Sequence, residues 1–398
     1  MDMKLTVPRI DALGMLKNNW HILALILIIY LGTTVRTLDY RWPYLRNIDS
    51  YNFYKEMDEI LENGGVLPET DTLKLAPYGT KRGQNFYAYA GAYSYMFFRA
   101  FMPDMQLWQY LIWFPALLAA LMAVPIYFIT KTLYDKKAGI FAAAMIVFDI
   151  AIISRTLGGD PDNDAMVLLM PLVIISLYLL SHKIAESAGR LTTKLAAFSV
   201  LTGLSLVAWR FTWGGFWWVL WLITGFLLLK LVFKYVKSRN VRVLWNENKA
   251  AIQSYGIIML TFFALAVPAF GPGVLANAVL GPLEFPAIKA EGGTFPNVYV
   301  SVAELQNPEG PRDIINRTGL PFFILLLSLA YLSYSYIARR KHLDTLVLLG
   351  IWFVGPFLAT IVAIRFTILF SAPMAIGAGI FFSKILRMTT GEDSSLAD

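Results

Sequence analysis

The chain has 398 residues, of which 57% are hydrophobic, 15% aromatic and only 15% charged, and its mean hydropathy is +0.56. That composition leaves too little polar surface for a water-soluble fold, and the absence of cysteine excludes a disulfide framework, a thiolate metal site and a thiol nucleophile. A formal net charge of +7 would suit a nucleic-acid partner, except that the basic residues fall mostly in loops alternating with apolar runs.

About 20 apolar residues cross about 30 Å of hydrocarbon, and on that criterion the sequence predicts an all-α polytopic membrane protein of about ten spans. The first covers 20–35; the residues before it carry Asp2 and Asp11 and show no small-residue cleavage pattern, so it reads as a retained anchor. A long loop, 36–106, follows, with polar runs such as EMDEILENGG. Spans are then predicted at 107–130, 138–153, 165–182, 194–209, 212–234 and 252–270. A second long segment, 271–318, is punctuated by GPG, GPLEFP, GGTFPN and NPEGP and reads as mobile. Spans at 319–337, 343–363 and 366–386 complete the set, and the tail 391–398, GEDSSLAD, reads as short, polar and frayed. The expected organisation is one transmembrane catalytic domain over 1–390, with no soluble C-terminal domain.

Charge placement predicts the orientation. With a cytoplasmic N-terminus, the inside loops collect Lys131, Lys136 and Lys137, a basic run over 230–249, and Arg339, Arg340 and Lys341, whereas the short outside loops keep only Arg155, Arg210 and Arg365. Both termini are therefore expected in the cytoplasm, and 36–106 and 271–318 on the external face of a cell membrane.

On that external side the sequence sets five carboxylates: Asp49 in RNIDSYNFY, Asp160, Asp162 and Asp164 in RTLGGDPDNDAM, and Glu304 in SVAELQNP. Carboxylates gathered at a water-facing cavity repel one another unless a cation intervenes, and oxygen-only ligands suit Mg²⁺ or Mn²⁺ better than Zn²⁺. The competing reading of DPDND is a turn in which Asp164 caps the helix starting near Ala165, and for Asp49 and Glu304 it is a solvated loop acid. An EF-hand is rejected, because Ala165 and Pro171 stand where that loop needs glycine and glutamate. GPGVLA at 271–276 follows a span and no strand, so it is no dinucleotide loop. His21, His182 and His342 read as boundary residues near the cytoplasmic interface. Arg155 and Arg365 read either as structural ion pairs or as a clamp on an anionic headgroup, because guanidinium matches phosphate bidentately.

Taken in order, IDSY after the first span, RTLGGDPDND, TWGGF at 212–216, SVAE ending at Glu304 and RFTILFSAPMAI beginning at Arg365 resemble the catalytic subunit of the oligosaccharyltransferases in its single-subunit archaeal and bacterial form. The resemblance implies the GT-C glycosyltransferase fold and transfer of a glycan from a polyprenyl-phosphate or -diphosphate donor to an asparagine of an acceptor polypeptide. It implies Mn²⁺ or Mg²⁺ held by Asp49, Asp162 and Asp164, with Glu304 joining the site when its loop closes. Asp49 and Glu304 would grip the acceptor amide, and Arg365, with Arg155, would contact the donor phosphate. The family also carries thirteen spans and a soluble domain whose WWDYG motif reads the sequon; that string is not among these residues, so a separate sequon-reading subunit or domain is an expected partner. A membrane glycosyltransferase with a lipid or hydroxyl acceptor is the alternative enzyme. A transporter or lipid translocase is the alternative class, disfavoured because the acids lie in external loops and not at mid-membrane depth.

Overall fold

A computed structural model describes residues 12–285 and 302–393, and the fold is a helical bundle. Among these residues, nine helical stretches have the length and hydropathy to cross a membrane. They are Asn19–Thr37 within α1 (Ala12–Thr37), Leu107–Leu133, Asp164–Ala188 (α8), Thr193–Thr212 (α9), Gly214–Ser238, Val241–Phe270 (α11), Leu320–Arg339, Leu343–Val362 and Ile364–Thr389. The chain is thus an integral membrane protein. Leu107–Leu133 is built from α4 (Leu107–Leu121) and α5 (Ala123–Leu133), which meet at Met122. The expected span at 138–153 is not one of the nine. It is divided into α6 (Lys136–Val147) and α7 (Ile150–Arg155), because the Asp149 carboxylate accepts a hydrogen bond from the Ala151 amide and starts a new helix inside an apolar run.

That break frees backbone groups in a setting where an unpaired one is costly, and α1 supplies the partner. Arg36, fully buried, donates from Nη2 to the Val147 carbonyl at 2.8 Å, from Nη1 to the Gly32 carbonyl at 2.9 Å and from Nε to Thr156 Oγ1 at 2.9 Å. The approach requires Gly32, where a Cβ would lie 2.2 Å from Val147 Cγ1.

The segment 36–106 is far from an unstructured loop. It contains α2 (Ile48–Glu62), an antiparallel pair of two-residue strands with Thr70 opposite Lys81, and α3 (Phe86–Arg99). The buried face of α3 packs on α2: Tyr87 meets Phe53 edge-on at 5.3 Å, and Gly91 lies so close to Met57 that a Cβ would come within 2.4 Å of its sulfur. In 271–318 the described parts are α12 (Gly273–Glu284), a 3-10 turn at Ala303–Leu305 and α13 (Pro311–Thr318), whereas 286–301 lie outside the described residues. Two spans follow, α14 (Leu320–Arg339) and α15 (Leu343–Val362), then a 3-10 stretch Ile364–Phe370 that leads into α16 (Ser371–Thr389). The start of the tail is pinned: Asp393 is buried and takes hydrogen bonds from Lys384 at 3.0 Å and Arg387 Nη2 at 2.7 Å. Residues 394–398 lie outside the described part.

Candidate functional site

Asp164 is the first residue of α8, not its cap; Asn163 holds the cap position and makes no side-chain cap bond. Freed from capping and favoured by the helix dipole, the Asp164 carboxylate turns to two arginines. It accepts from Arg365 Nη2 at 3.1 Å and from Arg155 Nη1 at 3.5 Å. Glu304, on the short turn Ala303–Leu305, accepts from Arg365 Nη1 at 2.8 Å and from Arg155 Nη2. Two acids and two guanidiniums therefore close a four-membered ring across α7, α8, the Glu304 turn and the 3-10 stretch before α16. The Glu304 turn is tied to that stretch by the Ile364 amide donating to the Gln306 carbonyl at 2.9 Å. Burial works against ionisation of Glu304, but its hydrogen bond from Arg155 and the nearby charge of Arg365 hold its carboxyl below the ordinary range.

The other expected acids sit beside this ring without being neutralised by it. Asp162 is half-buried, and burial together with Asp164 and Asp160 pushes its carboxyl up to about 6, against the Asn163 amide and Arg365. Asp160, also raised mainly by burial, accepts from Ser50 Oγ at 2.7 Å. Asp49 is exposed in the first turn of α2, one residue before Ser50, so the Ser50–Asp160 bond brings α2 to the aspartate motif. Arg46 strengthens that junction, its amide donating to the Gly159 carbonyl at 2.7 Å and its Nε to the Gly158 carbonyl at 3.0 Å.

Sequence reasoning missed Tyr87. Its side chain is fully buried, its hydroxyl has no hydrogen-bond partner among the described residues, and it lies in the field of Asp162, Asp160 and Asp164. A raised, crowded carboxylate and an orphaned buried hydroxyl in the field of the same acids suit a hydrated divalent cation held by oxygen ligands. No sequence signal separates Tyr87 from the rest of the 20 tyrosines in the chain.

A second group with metal-ligating donors lies elsewhere. His182, Glu186 and Asp344 bring one ligand atom each within 4.8 Å of one another, a donor set able to hold a divalent ion. Lys230 occupies that centre: its ammonium stands 2.7 Å from His182 Nε2, 2.7 Å from Glu186 Oε1 and 2.9 Å from Asp344 Oδ2. The positive charge is already supplied by the protein, and the cluster is at the far end of α8 from Asp164. His182 is thus part of a buried ion network and not a simple boundary residue.

Beside the ring opens a cavity of about 710 Å³. Arg155, Arg317 and Arg365 line it together with apolar side chains including Phe148, Ile368 and Met374. Arg317, on α13, is a further cation there that the sequence did not single out. Guanidinium groups beside a greasy wall suit an amphiphile with an anionic head.

Comparison with known proteins identifies the family and the fold. The family model described as oligosaccharyl transferase STT3, N-terminal, matches residues 20–395. Among curated proteins, the chain is 24% identical over 391 residues to a dolichyl-phosphooligosaccharide-protein glycotransferase of Methanococcus voltae, covering 86% of this chain and 41% of that protein. A protein of the same description from Methanocaldococcus jannaschii is 28% identical over 187 residues, covering 44% of this chain and 20% of the relative. Among solved structures, an archaeal oligosaccharyltransferase from Archaeoglobus fulgidus in complex with an inhibitory peptide and a dolichol-phosphate superposes with a TM-score of 0.70 at 17% identity, covering 96% of this chain and 52% of that one. The structure of the enzyme from the same organism tethered to an acceptor peptide containing the NVT sequon gives 0.67 at 18% identity, over 96% and 52% of the two chains. These likenesses establish the fold; the chain spans 52% of these two solved chains, 41% of the Methanococcus voltae relative and 20% of the Methanocaldococcus jannaschii relative. The 398 residues belong to the STT3 oligosaccharyl transferase family.

Proposed function

We propose that this chain forms the transmembrane catalytic part of a metal-dependent oligosaccharyltransferase, moving a glycan from a polyprenyl-phosphate or -diphosphate carrier to an asparagine side chain. The observation that carries the proposal is the ring in which Arg155 and Arg365, both lining the 710 Å³ cavity, meet Asp164 and Glu304. One side of the ring is fit to hold a phosphate head above an apolar wall, and the other presents acids to an acceptor amide.

A carboxamide nitrogen is a poor nucleophile because its lone pair is delocalised. In this reading Asp49 and Glu304 accept its two N–H bonds and hold it in line, and Glu304 stays ionised to do so. Arg365 and Arg155 release part of their hold on the acids when a phosphate arrives and fix its oxygens in forked hydrogen bonds. Asp49, Asp162 and Asp164 would hold Mg²⁺ or Mn²⁺, which supplies stabilisation of negative charge on the departing phosphate oxygen. The catalytic unit occupies 1–390, with its site on the external face and both termini cytoplasmic, as the distribution of lysine and arginine supports. Reading of the sequon is assigned to polypeptide outside these residues, either continuous with the chain or a separate subunit.

The test is transfer in lipid nanodiscs, with chelator or added Mn²⁺, from a polyprenyl-linked sugar to Asn-X-Thr and Asn-X-Ala peptides and to a polyprenol acceptor. Metal-dependent product on asparagine supports the proposal. Product on the hydroxyl acceptor alone moves the chain to the alternative glycosyltransferase class, and transfer unaffected by chelator removes the metal from the mechanism.

A further inference from the structure

The C-terminal turn of α3 and the segment that follows it are strongly apolar and exposed. Residues 96–104, MFFRAFMPD, are all exposed, and within them Phe97 is 63%, Phe101 71% and Met102 53% accessible. This run ends just before Leu107, where the span formed by α4 and α5 begins. Its position relative to that span is fixed by two hydrogen bonds: Tyr95 donates from its hydroxyl to the Met105 carbonyl at 2.8 Å, and Tyr110 on α4 donates to Ser94 Oγ at 2.6 Å. On α4 itself the large ring of Trp113 is 52% accessible.

A span that starts at Leu107 puts the residues just before it at the level where hydrocarbon gives way to headgroups. Aromatic rings with an arginine among them are the composition that such a layer takes, the rings lying in the acyl boundary and the guanidinium reaching phosphate; here Arg99 stands between Phe98 and Phe101. A patch of this kind facing water would invite association. We propose that Phe97, Phe101 and Met102, with Arg99, form an interfacial anchor that seats the 36–106 segment on the lipid surface. Because the buried residues earlier in α3 hold α2 through Tyr87–Phe53 and Gly91–Met57, the bilayer thereby sets the height of α2 and of Asp49 at its start. The anchor is independent of what reaction Asp49 serves.

The chain contains no cysteine, which permits a clean test. Single variants Phe101→Cys, Phe97→Cys and, as a water-facing reference, Tyr78→Cys, which is 91% exposed on the hairpin segment, are labelled with an environment-sensitive fluorophore in nanodiscs. Labels at 97 and 101 are expected to be quenched several-fold more by nitroxide-bearing lipid, and several-fold less by iodide, than the label at 78. Should one of the phenylalanine variants fail to fold, the other carries the comparison. A label at 97 or 101 that iodide reaches as readily as the label at 78 overturns the anchor and leaves a protein-facing surface. In addition, the double variant F97S/F101S is expected to speed hydrogen exchange of the α2 amides in nanodiscs several-fold without changing that of α8. Unchanged α2 exchange would show that the bilayer does not set its position.

Discussion

Replacing Asp162 with asparagine should stabilise the metal-free protein while removing its activity. The carboxyl of Asp162 is pushed from an ordinary 3.8 to about 6 by burial and by Asp164 and Asp160. Between those two values the native state holds a proton that the unfolded chain does not, so stability rises as pH falls through the native value. Above about pH 6 the ionised group carries the full penalty. A rise of about two units at about 1.4 kcal/mol each gives an upper figure of about 3 kcal/mol near neutral pH, which asparagine, uncharged and of the same size, would recover in part. For a chain of this size that amounts to a few degrees in unfolding temperature. The assay is thermal unfolding of wild type and Asp162→Asn in nanodiscs at pH 8 and pH 4, with chelator and with Mn²⁺. The variant should unfold higher at pH 8 in chelator, the gain should disappear at pH 4, and Mn²⁺ should stabilise wild type far more than the variant, which lacks one of the three proposed carboxylate ligands. A variant no more stable than wild type at pH 8 in chelator, or a gain of equal size at pH 4, would refute the account of a strained, metal-seeking carboxylate.

Glu304→Gln removes the charge that pairs with Arg155 and Arg365, and should lower single-turnover transfer by about a hundredfold with excess metal present; a rate near wild type would exclude Glu304 from gripping the acceptor. Arg365→Lys keeps a cation but loses the fork that spans Asp164 and Glu304, so donor affinity should fall by about tenfold or more, measured by binding of a polyprenyl phosphate without acceptor. Lys230→Met strands Glu186 and Asp344 and should cost about 3–5 kcal/mol, and adding Asp344→Asn should restore part of it; thermal unfolding of the single and double variants checks both. Gly91→Val drives a side chain into Met57 and should cost about 1–3 kcal/mol, with faster hydrogen exchange in α2 as its signature.

Hydropathy reveals most of the spans because lipid forces every crossing helix to be apolar along its length. It overlooks the break between α6 and α7, since Asp149 is one polar residue in an apolar window, and the group that makes the break tolerable, Arg36, is 111 residues away from Val147. The same limit applies at the site. Ordered motifs point to Asp162, Asp164, Glu304, Arg155 and Arg365, but that the last four pair with one another is a property of the packed bundle, and so is the burial of Tyr87 in the field of the aspartates. Lys230 reads as one cation of a basic run and His182 as a boundary residue until α8, α10 (Trp217–Ser238) and α15 bring them together.

Helix α8 is fastened at both ends by charge, to Arg155 and Arg365 through Asp164 and to Lys230 through His182 and Glu186. Its 25 residues extend about 37 Å at 1.5 Å each, so the two fastenings measure the helix against the rest of the bundle like the ends of a ruler. Adding or deleting a single residue between them would turn one end by about 100° and shift it by about 1.5 Å, and either the arginine ring or the lysine centre would lose its partner. Chain length within this stretch is thus constrained from both ends, and an inserted or deleted residue is expected to be tolerated in the connections outside α8 rather than inside it.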